Sequence, residues 1–192
     1  MEKLIDRPYY IHLIRPFIGK NVIKVLTGQR RVGKSCILKQ LASRIVQEDA
    51  DANIISINKE LEDFAFIHTH EDLSKYVNAQ LRQGVANYLF IDEVQEINDF
   101  EVTLRSLQAS EACDIYITGS NAKMFSSELS THLSGRYVEF KIQSLSYDEF
   151  LLFHHLEPSN QSLRNFLLYG GMPYLTHLPL ERDVVFEYLQ NV

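Results

Sequence analysis

Short apolar runs alternate with longer amphipathic stretches along this chain of 192 residues. The runs are rich in β-branched residues and are bounded by polar or turn-forming ones, which predicts buried parallel strands. The stretches between them repeat apolar residues every three or four positions, which predicts helices. The predicted strands are residues 22–27, 53–58, 87–91, 114–118 and 137–142, and the predicted helices are residues 35–48, 71–83, 100–110 and 121–133.

The regular alternation of these elements predicts an α/β fold. We expect a three-layer sandwich in which helices cover both faces of a five-stranded parallel sheet. An amphipathic helix is predicted before the sheet, over residues 3–18, and Gly19 ends it. Pro8 is a second candidate for the start of this helix, because proline is best tolerated in the first helical turn.

The strand pattern stops after residue 142, and the rest of the chain reads as helical. A capping box at residues 146–149 opens a helix. The predicted helices are residues 146–155, 158–169 and 180–192, with a break at residues 170–173. We therefore predict a core domain at residues 1–143, followed at residues 144–192 by a helical lid or the start of a truncated C-terminal region. The chain ends inside an apolar periodic run, as expected of a fragment.

Residues 28–35 carry the strongest chemical signal in the chain. They read Gly-Gln-Arg-Arg-Val-Gly-Lys-Ser and fit G-x-x-x-x-G-K-[ST], the Walker A phosphate-binding pattern. A predicted strand precedes the pattern and a predicted helix follows it, which is the context that a phosphate loop requires. Gly28 and Gly33 permit positive φ and close approach of the main chain to phosphate.

The other residues of this loop supply donors and charge. The backbone N–H groups around Arg31 and Val32 are expected to form an anion nest at the helix N-terminus. Lys34 is expected to reach the β- and γ-phosphates, and the Ser35 hydroxyl to bind Mg²⁺. The side chains of Arg30 and Arg31 contact phosphate, a partner or only water, and the pattern leaves this open.

A second motif ends the third predicted strand. Residues 87–93 read Asn-Tyr-Leu-Phe-Ile-Asp-Glu, an apolar run followed by two carboxylates, which is the Walker B form. Neighbouring side chains on a strand point to opposite faces, so the two carboxylates can take different tasks. We expect Asp92 to hold Mg²⁺ and Glu93 to polarise the attacking water. The alternative is that both acids only close the strand before a loop.

Composition narrows the class of protein. The net charge of −6 gives no basic footprint for nucleic acid. No apolar window approaches the 18 residues of a membrane span, and the N-terminus lacks the apolar stretch of a signal peptide. Cys36 and Cys113 are interpreted as reduced packing residues, so we predict a cytoplasmic protein without membrane contact.

Five motifs occur in an order that resembles the prokaryotic AAA-type ATPases. The resemblance covers about residues 20–175, and the motifs lie at residues 27–35, 91–95, 117–122, 133–136 and 145–150, followed by Gly-Gly-Met-Pro at 170–173. It implies a P-loop NTPase fold of the ASCE class that binds and hydrolyses Mg²⁺-ATP. It also implies coupling to a C-terminal effector domain of unknown function that is missing here. Ser35 stands where threonine is commoner, a chemically neutral departure.

The resemblance gives roles to three further residues. Ser120, or Asn121 beside it, lies where such proteins place a polar sensor of the γ-phosphate, although either side chain could simply satisfy turn backbone groups. Arg136 lies where an arginine finger is held toward a neighbouring subunit, which implies a homo-oligomer. Its alternative is a salt bridge to a nearby carboxylate. Gln95 would orient a network that senses the γ-phosphate.

Two other functions use the same loop. In a nucleotide-gated switch or interaction module, ATP holds the lid closed and slow hydrolysis resets it, so the turnover rate separates this reading from a fast ATPase. A small-molecule kinase would transfer phosphate to an acceptor, but such kinases typically lack the adjacent Asp-Glu pair.

Overall fold

The computed structural model describes residues 5–119 and 133–191, and its centre is a parallel sheet of five strands. The strand order across the sheet is β2-β3-β4-β1-β5. The strands are β1 (Ile23–Thr27), β2 (Asn53–Asn58), β3 (Asn87–Asp92), β4 (Asp114–Thr118) and β5 (Tyr137–Lys141). All five predicted strands are confirmed, with bounds that differ by at most one residue.

Seven α-helices are described in these ranges. They are α1 (Pro8–Ile14), α2 (Lys34–Glu48), α3 (His70–Gln80), α4 (Phe100–Ala109), α5 (Tyr147–His154), α6 (Asn160–Tyr169) and α7 (Arg182–Gln190). Within the described part of the chain, none of them combines the length and apolarity needed to cross a bilayer. The predicted helix at 121–133 lies outside the described residues except for its last position.

Each face of the sheet buries its own hydrophobic core, which confirms the three-layer sandwich. On one face, Ile57 and Leu89 pack with residues of α3 and α4. On the other face, Leu26 and Phe90 pack with residues of α1, α2 and the helical segment that follows β5. Strand alternation explains the division, because neighbouring residues of a strand face opposite layers.

The parallel topology brings the functional motifs to one edge of the sheet. β1 pairs with β4, and β4 pairs with β3, so the carboxyl ends of these three strands lie side by side. The Walker A pattern follows β1, and the Asp92-Glu93 pair lies at the end of β3. Ligands of open α/β sheets bind beyond the carboxyl ends of their strands.

The helical segment after β5 packs onto the layer that contains α2. Its first helix begins as predicted, with a capping box in which Ser146 accepts from the Glu149 N–H and Glu149 accepts from the Ser146 N–H. Gly170 follows the last residue of α6 with φ 75°, and Gly171 has a packing reason. A Cβ on Gly171 would overlap the Leu145 backbone, whose N–H donates to the Gly171 carbonyl at 2.7 Å.

One of the two expected starts of the first helix is confirmed, and one expectation about a cysteine is wrong. Residues 5–7 are not helical, and α1 starts at Pro8, the second candidate, where the missing N–H costs no helical hydrogen bond. Its last turn is a 3₁₀ turn, Arg15–Phe17, before Gly19 at φ 71°. Cys36 is exposed on α2 and is not a packing residue, although both cysteines are free thiols.

Candidate functional site

The loop between β1 and α2 has the backbone that its glycines predict. Gly28 has φ 142°, and a Cβ there would overlap the carbonyl of Ile142. Gly33 has φ 96° and is the residue immediately before α2. Residues that carry a side chain rarely adopt such backbone φ angles, so both positions require glycine. Arg31 also has positive φ, at 65°, which concentrates backbone strain in this loop.

Lys34 opens α2 and folds back onto the loop. Its side chain is buried, with only 4% of the residue exposed. Its Nζ donates to the carbonyls of Gly28 and Gln29, both at 3.1 Å. Burial lowers the pKa of Lys34, and the nearby carboxylates of Glu93 and Asp92 partly offset this effect. The sequence-predicted lysine and carboxylates are therefore electrostatic neighbours.

Thr118 joins the carboxylate of Asp92 to the backbone of Glu93. It ends β4 beside the end of β3 and is completely buried. The Thr118 hydroxyl donates to Oδ1 of Asp92, and the hydroxyl oxygen accepts a hydrogen bond from the backbone N–H of Glu93 at 3.0 Å. One hydroxyl therefore fixes the side chain of Asp92 and the backbone of Glu93.

Strand alternation was expected to separate the tasks of Asp92 and Glu93, but it does not apply here. β3 ends at Asp92, so Glu93 lies outside the strand. Glu93 has φ 56° and precedes a 3₁₀ turn, Val94–Glu96. Its carboxylate accepts a hydrogen bond from Nε2 of Gln95, whose Oε1 is buried without a partner among the described residues.

Ser35 and Asp92 line one small cavity between α2 and the strands. Its volume is about 70 Å³, and Ser56 and Asn58 contribute further polar groups. Within residues 5–119 and 133–191, no three His, Cys, Asp or Glu side chains form a metal-binding group. A hydroxyl and one carboxylate fit Mg²⁺, which binds through one or two carboxylates and completes its shell with phosphate oxygens and water.

Two further side chains of the loop, those of Val32 and Arg31, point to different parts of the molecule. Val32 is buried in the core on the α2 face. Arg31 reaches α7, where its Nη1 lies 3.4 Å from the hydroxyl of Tyr188 and its guanidinium lies over the same ring. Tyr188 in turn stacks on Tyr174 at 5.0 Å between ring centroids. Arg31 thus contacts another part of its own chain, which is none of the three contacts that the pattern left open.

The residues expected to act as sensor and finger are not both described. Ser120 lies outside the described residues, as does Asn121. Arg136 is exposed and immediately precedes β5, and its carbonyl accepts from Ile23 N–H at the start of β1. Arg136 thus lies near the amino ends of the strands, whereas Lys34 lies near their carboxyl ends. Among the described residues, Arg136 forms no salt bridge.

Sequence reasoning missed Thr118 and Arg7. Thr118 carried a readable signal, because a polar residue at the end of an apolar strand adjacent to the Walker B strand faces the same edge. Arg7 carried no such signal. Only 3% of Arg7 is exposed, and its side chain donates a hydrogen bond to Glu149, which is 142 residues away along the sequence.

A family profile described as an AAA domain matches residues 20–151. An uncharacterised protein of Haemophilus influenzae is 34% identical over 178 residues, which are 90% of this chain and 44% of that protein. The chain thus spans a little under half the length of the curated relatives it matches.

Solved structures share the fold at low identity. Domain III of the replication initiation protein DnaA from Thermotoga maritima matches with a TM-score of 0.58 and 16% identity, over 91% of this chain and 82% of that domain. Hsp104 of S. cerevisiae in complex with casein matches with a TM-score of 0.63 and 15% identity, over 92% of this chain and 36% of that one.

Proposed function

Because the chain belongs to the AAA family of ATP-binding P-loop ATPases, we propose that it binds Mg²⁺-ATP at residues 28–35 and hydrolyses it. The observation that carries this proposal is the convergence of Lys34, Ser35, Asp92 and Glu93 at the carboxyl edge of the sheet. A triphosphate needs many donors and positive charge at close range. The glycine loop, the N-terminus of α2 and the buried ammonium of Lys34 offer them in one place.

The side chains suggest a division of tasks. Lys34 would exchange its two carbonyl partners for phosphate oxygens. Ser35 and Asp92 would hold Mg²⁺, which supplies positive charge to bridge and neutralise the phosphates. Glu93 would accept the proton of the attacking water, because it is the second carboxylate at this edge and only half-buried. Thr118 would hold the Asp92 side chain and the Glu93 backbone in these positions.

Three further roles extend the proposal. Ser120 would act as the sensor of the γ-phosphate. Arg136 would act as an arginine finger only in a neighbouring copy, since about the length of a strand separates it from the loop of its own chain. Residues 144–192 would form a lid on the core at 1–143, with the contact of Arg31 and Tyr188 as one attachment. The other half of the relatives' length would carry the effector domain. We also propose that the protein acts in the cytoplasm, and this proposal is based on the sequence alone.

One observation favours the slower alternative, a nucleotide-gated switch. The carboxylate of Glu93, the proposed base, is hydrogen-bonded to Gln95. This bond occupies Oε2, one of the two carboxylate oxygens, and makes the carboxylate a weaker acceptor for the proton of water. Nucleotide binding would then be fast and hydrolysis slow, which is the behaviour of a switch.

The test is Mg²⁺-dependent ATP turnover of the purified protein over a range of protein concentrations. We expect Glu93→Gln to abolish turnover while it preserves ATP binding, and Arg136→Ala to remove any rise in specific activity with concentration. Gln95→Ala separates the two candidates, because it accelerates a switch that Gln95 restrains and slows an ATPase whose base Gln95 positions. Wild-type turnover in Glu93→Gln would contradict the assignment of the base.

A further inference from the structure

Arg7 is a buried arginine that joins three distant parts of the chain. Its Nε and Nη2 donate to the two carboxylate oxygens of Glu149 in α5, at 2.8 and 2.9 Å. Its Nη1 donates to the carbonyl of Val32 in the phosphate loop and to the carbonyl of Gln143 after β5, both at 3.0 Å. Arg7 lies before residue 20, where the match to the AAA family begins.

The contact with Val32 bears on the phosphate loop because a peptide unit is planar and trans. Its C=O and N–H point in opposite directions, so a carbonyl held on one side fixes the donor on the other. The carbonyl of Val32 and the N–H of Gly33 belong to the same peptide unit. A guanidinium that holds this carbonyl outside the loop therefore turns the Gly33 N–H toward the loop's concave side, where successive N–H groups form an anion nest.

We infer that Arg7 is a positioning residue for nucleotide binding, which presets the Val32–Gly33 peptide for phosphate and ties it to α5 through Glu149. This inference rests on the proposed nucleotide site and adds to it a residue from outside the loop. Arg7 itself would not contact the phosphates. It acts through the orientation of one peptide unit.

The surroundings of Arg7 hold its guanidinium in one position. Its backbone N–H donates to Gln40 of α2 at 3.4 Å, and its guanidinium lies 4.6 Å from the centre of the Tyr10 ring. Burial acts to raise the pKa of Glu149, but the hydrogen bonds from Arg7 and Ser146 and the charge of Arg7 together hold that pKa below its ordinary value. The ion pair is thus maintained, and Glu149 also accepts from the Ser146 N–H at 2.9 Å.

The planar fork of arginine is essential to this arrangement. It donates in parallel to one carboxylate and still has an N–H for the loop carbonyl. Lysine keeps the charge but is a compact point donor that cannot reproduce this geometry. Arg7→Lys therefore removes the positioning and retains the charge.

The experiment compares the affinity of Arg7→Lys and wild type for Mg²⁺-ATP and Mg²⁺-ADP, far below the unfolding temperature. Arg44→Lys is the matched control, because Arg44 also pairs with a carboxylate, that of Asp6, but on the exposed surface. We expect Arg7→Lys to weaken both nucleotides by about tenfold or more and by similar factors, since loop N–H groups serve the phosphates that ATP and ADP share. Arg44→Lys should bind as the wild type does.

A second pair of variants guards against misfolding of Arg7→Lys. Glu149→Gln keeps an acceptor for the Ser146 N–H but weakens the hold on Arg7, and we expect affinity to fall about threefold. Ser146→Ala removes the cap of the same helix and leaves the guanidinium untouched. It should lower the unfolding temperature without changing affinity, which separates positioning from mere stability.

The outcomes are distinct. Folded Arg7→Lys with wild-type affinity overturns the inference and leaves the proposed nucleotide site intact. The inference is also overturned if Ser146→Ala and Glu149→Gln weaken nucleotide binding equally, because the loss of stability alone would then explain both effects. A wild-type protein that binds neither nucleotide overturns the proposed function and the inference together.

Discussion

Lys24 and Lys34 are both buried, but they lie toward opposite ends of the strands, and their ammonium groups have different kinds of partner. Lys24 lies on β1 and is completely buried, and its Nζ forms an ion pair with Asp114 and donates to the carbonyl of Lys20 at 2.7 Å. Asp114 also accepts from the hydroxyl of Tyr116 at 2.7 Å. Within the described ranges, Lys34 donates only to backbone carbonyls, and no carboxylate lies within 4 Å of its Nζ.

The difference separates a structural charge from a charge available to a ligand. Burial lowers the pKa of both lysines. At Lys24 a carboxylate in direct contact compensates for the lost hydration. At Lys34 the nearest acids, Asp92 and Glu93, are engaged by Thr118 and Gln95. A buried ammonium with neutral partners is costly, and an anionic ligand removes that cost.

The comparison is tested most strongly by removing the carboxylate of Asp114. We expect Asp114→Asn to lower the free energy of unfolding by about 3–5 kcal/mol, because it leaves a buried ammonium without its counter-charge. Urea unfolding of the nucleotide-free protein measures the change. Nucleotide affinity of the folded protein should not change, since this pair lies at the far edge of the sheet.

The double variant Lys24→Met, Asp114→Asn is the control for that expectation. It removes both charges and should recover much of the lost stability. If Asp114→Asn alone cost less than about 1 kcal/mol, the view of Lys24 as a fully paired structural charge would be wrong.

The second test removes the ammonium of Lys34. We expect Lys34→Met to weaken Mg²⁺-ATP binding by about 100-fold, or about 2.7 kcal/mol, while the free energy of unfolding without nucleotide stays the same or rises. The stability does not fall because the variant deletes a buried charge that lacks a carboxylate partner. Isothermal titration and urea unfolding measure the two effects.

Lys75→Met is the matched control for Lys34→Met. Lys75 is an exposed lysine on α3 and does not line the cavity of Ser35 and Asp92, so its substitution should change neither quantity. A large loss of stability in Lys34→Met would show that Lys34, like Lys24, is structural.

The fold could be predicted closely because local patterns determine it. β2 and β4 have the predicted bounds, since each is a short apolar run between polar residues. Local rules also place α1 at Pro8 and the capping box at Ser146. The motif residues Lys34, Asp92 and Glu93 could be assigned to one edge of the sheet, because parallel strands bring their carboxyl ends together.

The side-chain partners within the site could not be predicted in the same way. The contact of Arg7 with Glu149 spans 142 residues, and no local pattern relates the two positions. The bond from Gln95 to Glu93 depends on the positive φ of Glu93, which an apolar strand pattern does not reveal. Such contacts form only after the tertiary fold places distant segments side by side.

A third test asks whether the acids near Lys34 are restrained by Thr118. We expect Thr118→Val to lower kcat for ATP about tenfold with little change in KM, because valine fills the same space but cannot join Asp92 to the Glu93 backbone. Steady-state kinetics measures both constants. Thr103→Val is the control, since Thr103 is an equally buried threonine whose hydroxyl donates to the carbonyl of His70 at 2.6 Å, away from the site. Equal losses in the two variants would point to general destabilisation.

The smallest expected effect is a pH dependence with opposite signs for stability and binding. Because the pKa of Lys34 is lowered in the folded state, the unfolded chain binds more protons between that pKa and the ordinary value of 10.5. The contribution of Lys34 to the free energy of unfolding therefore rises with pH across this window. Nucleotide affinity falls there, since the neutral amine no longer attracts phosphate. The measurement compares the wild type with Lys34→Met at pH 7 to 10: the variant should lack both slopes, and a fall in affinity of equal size in the variant would assign the titration to another group.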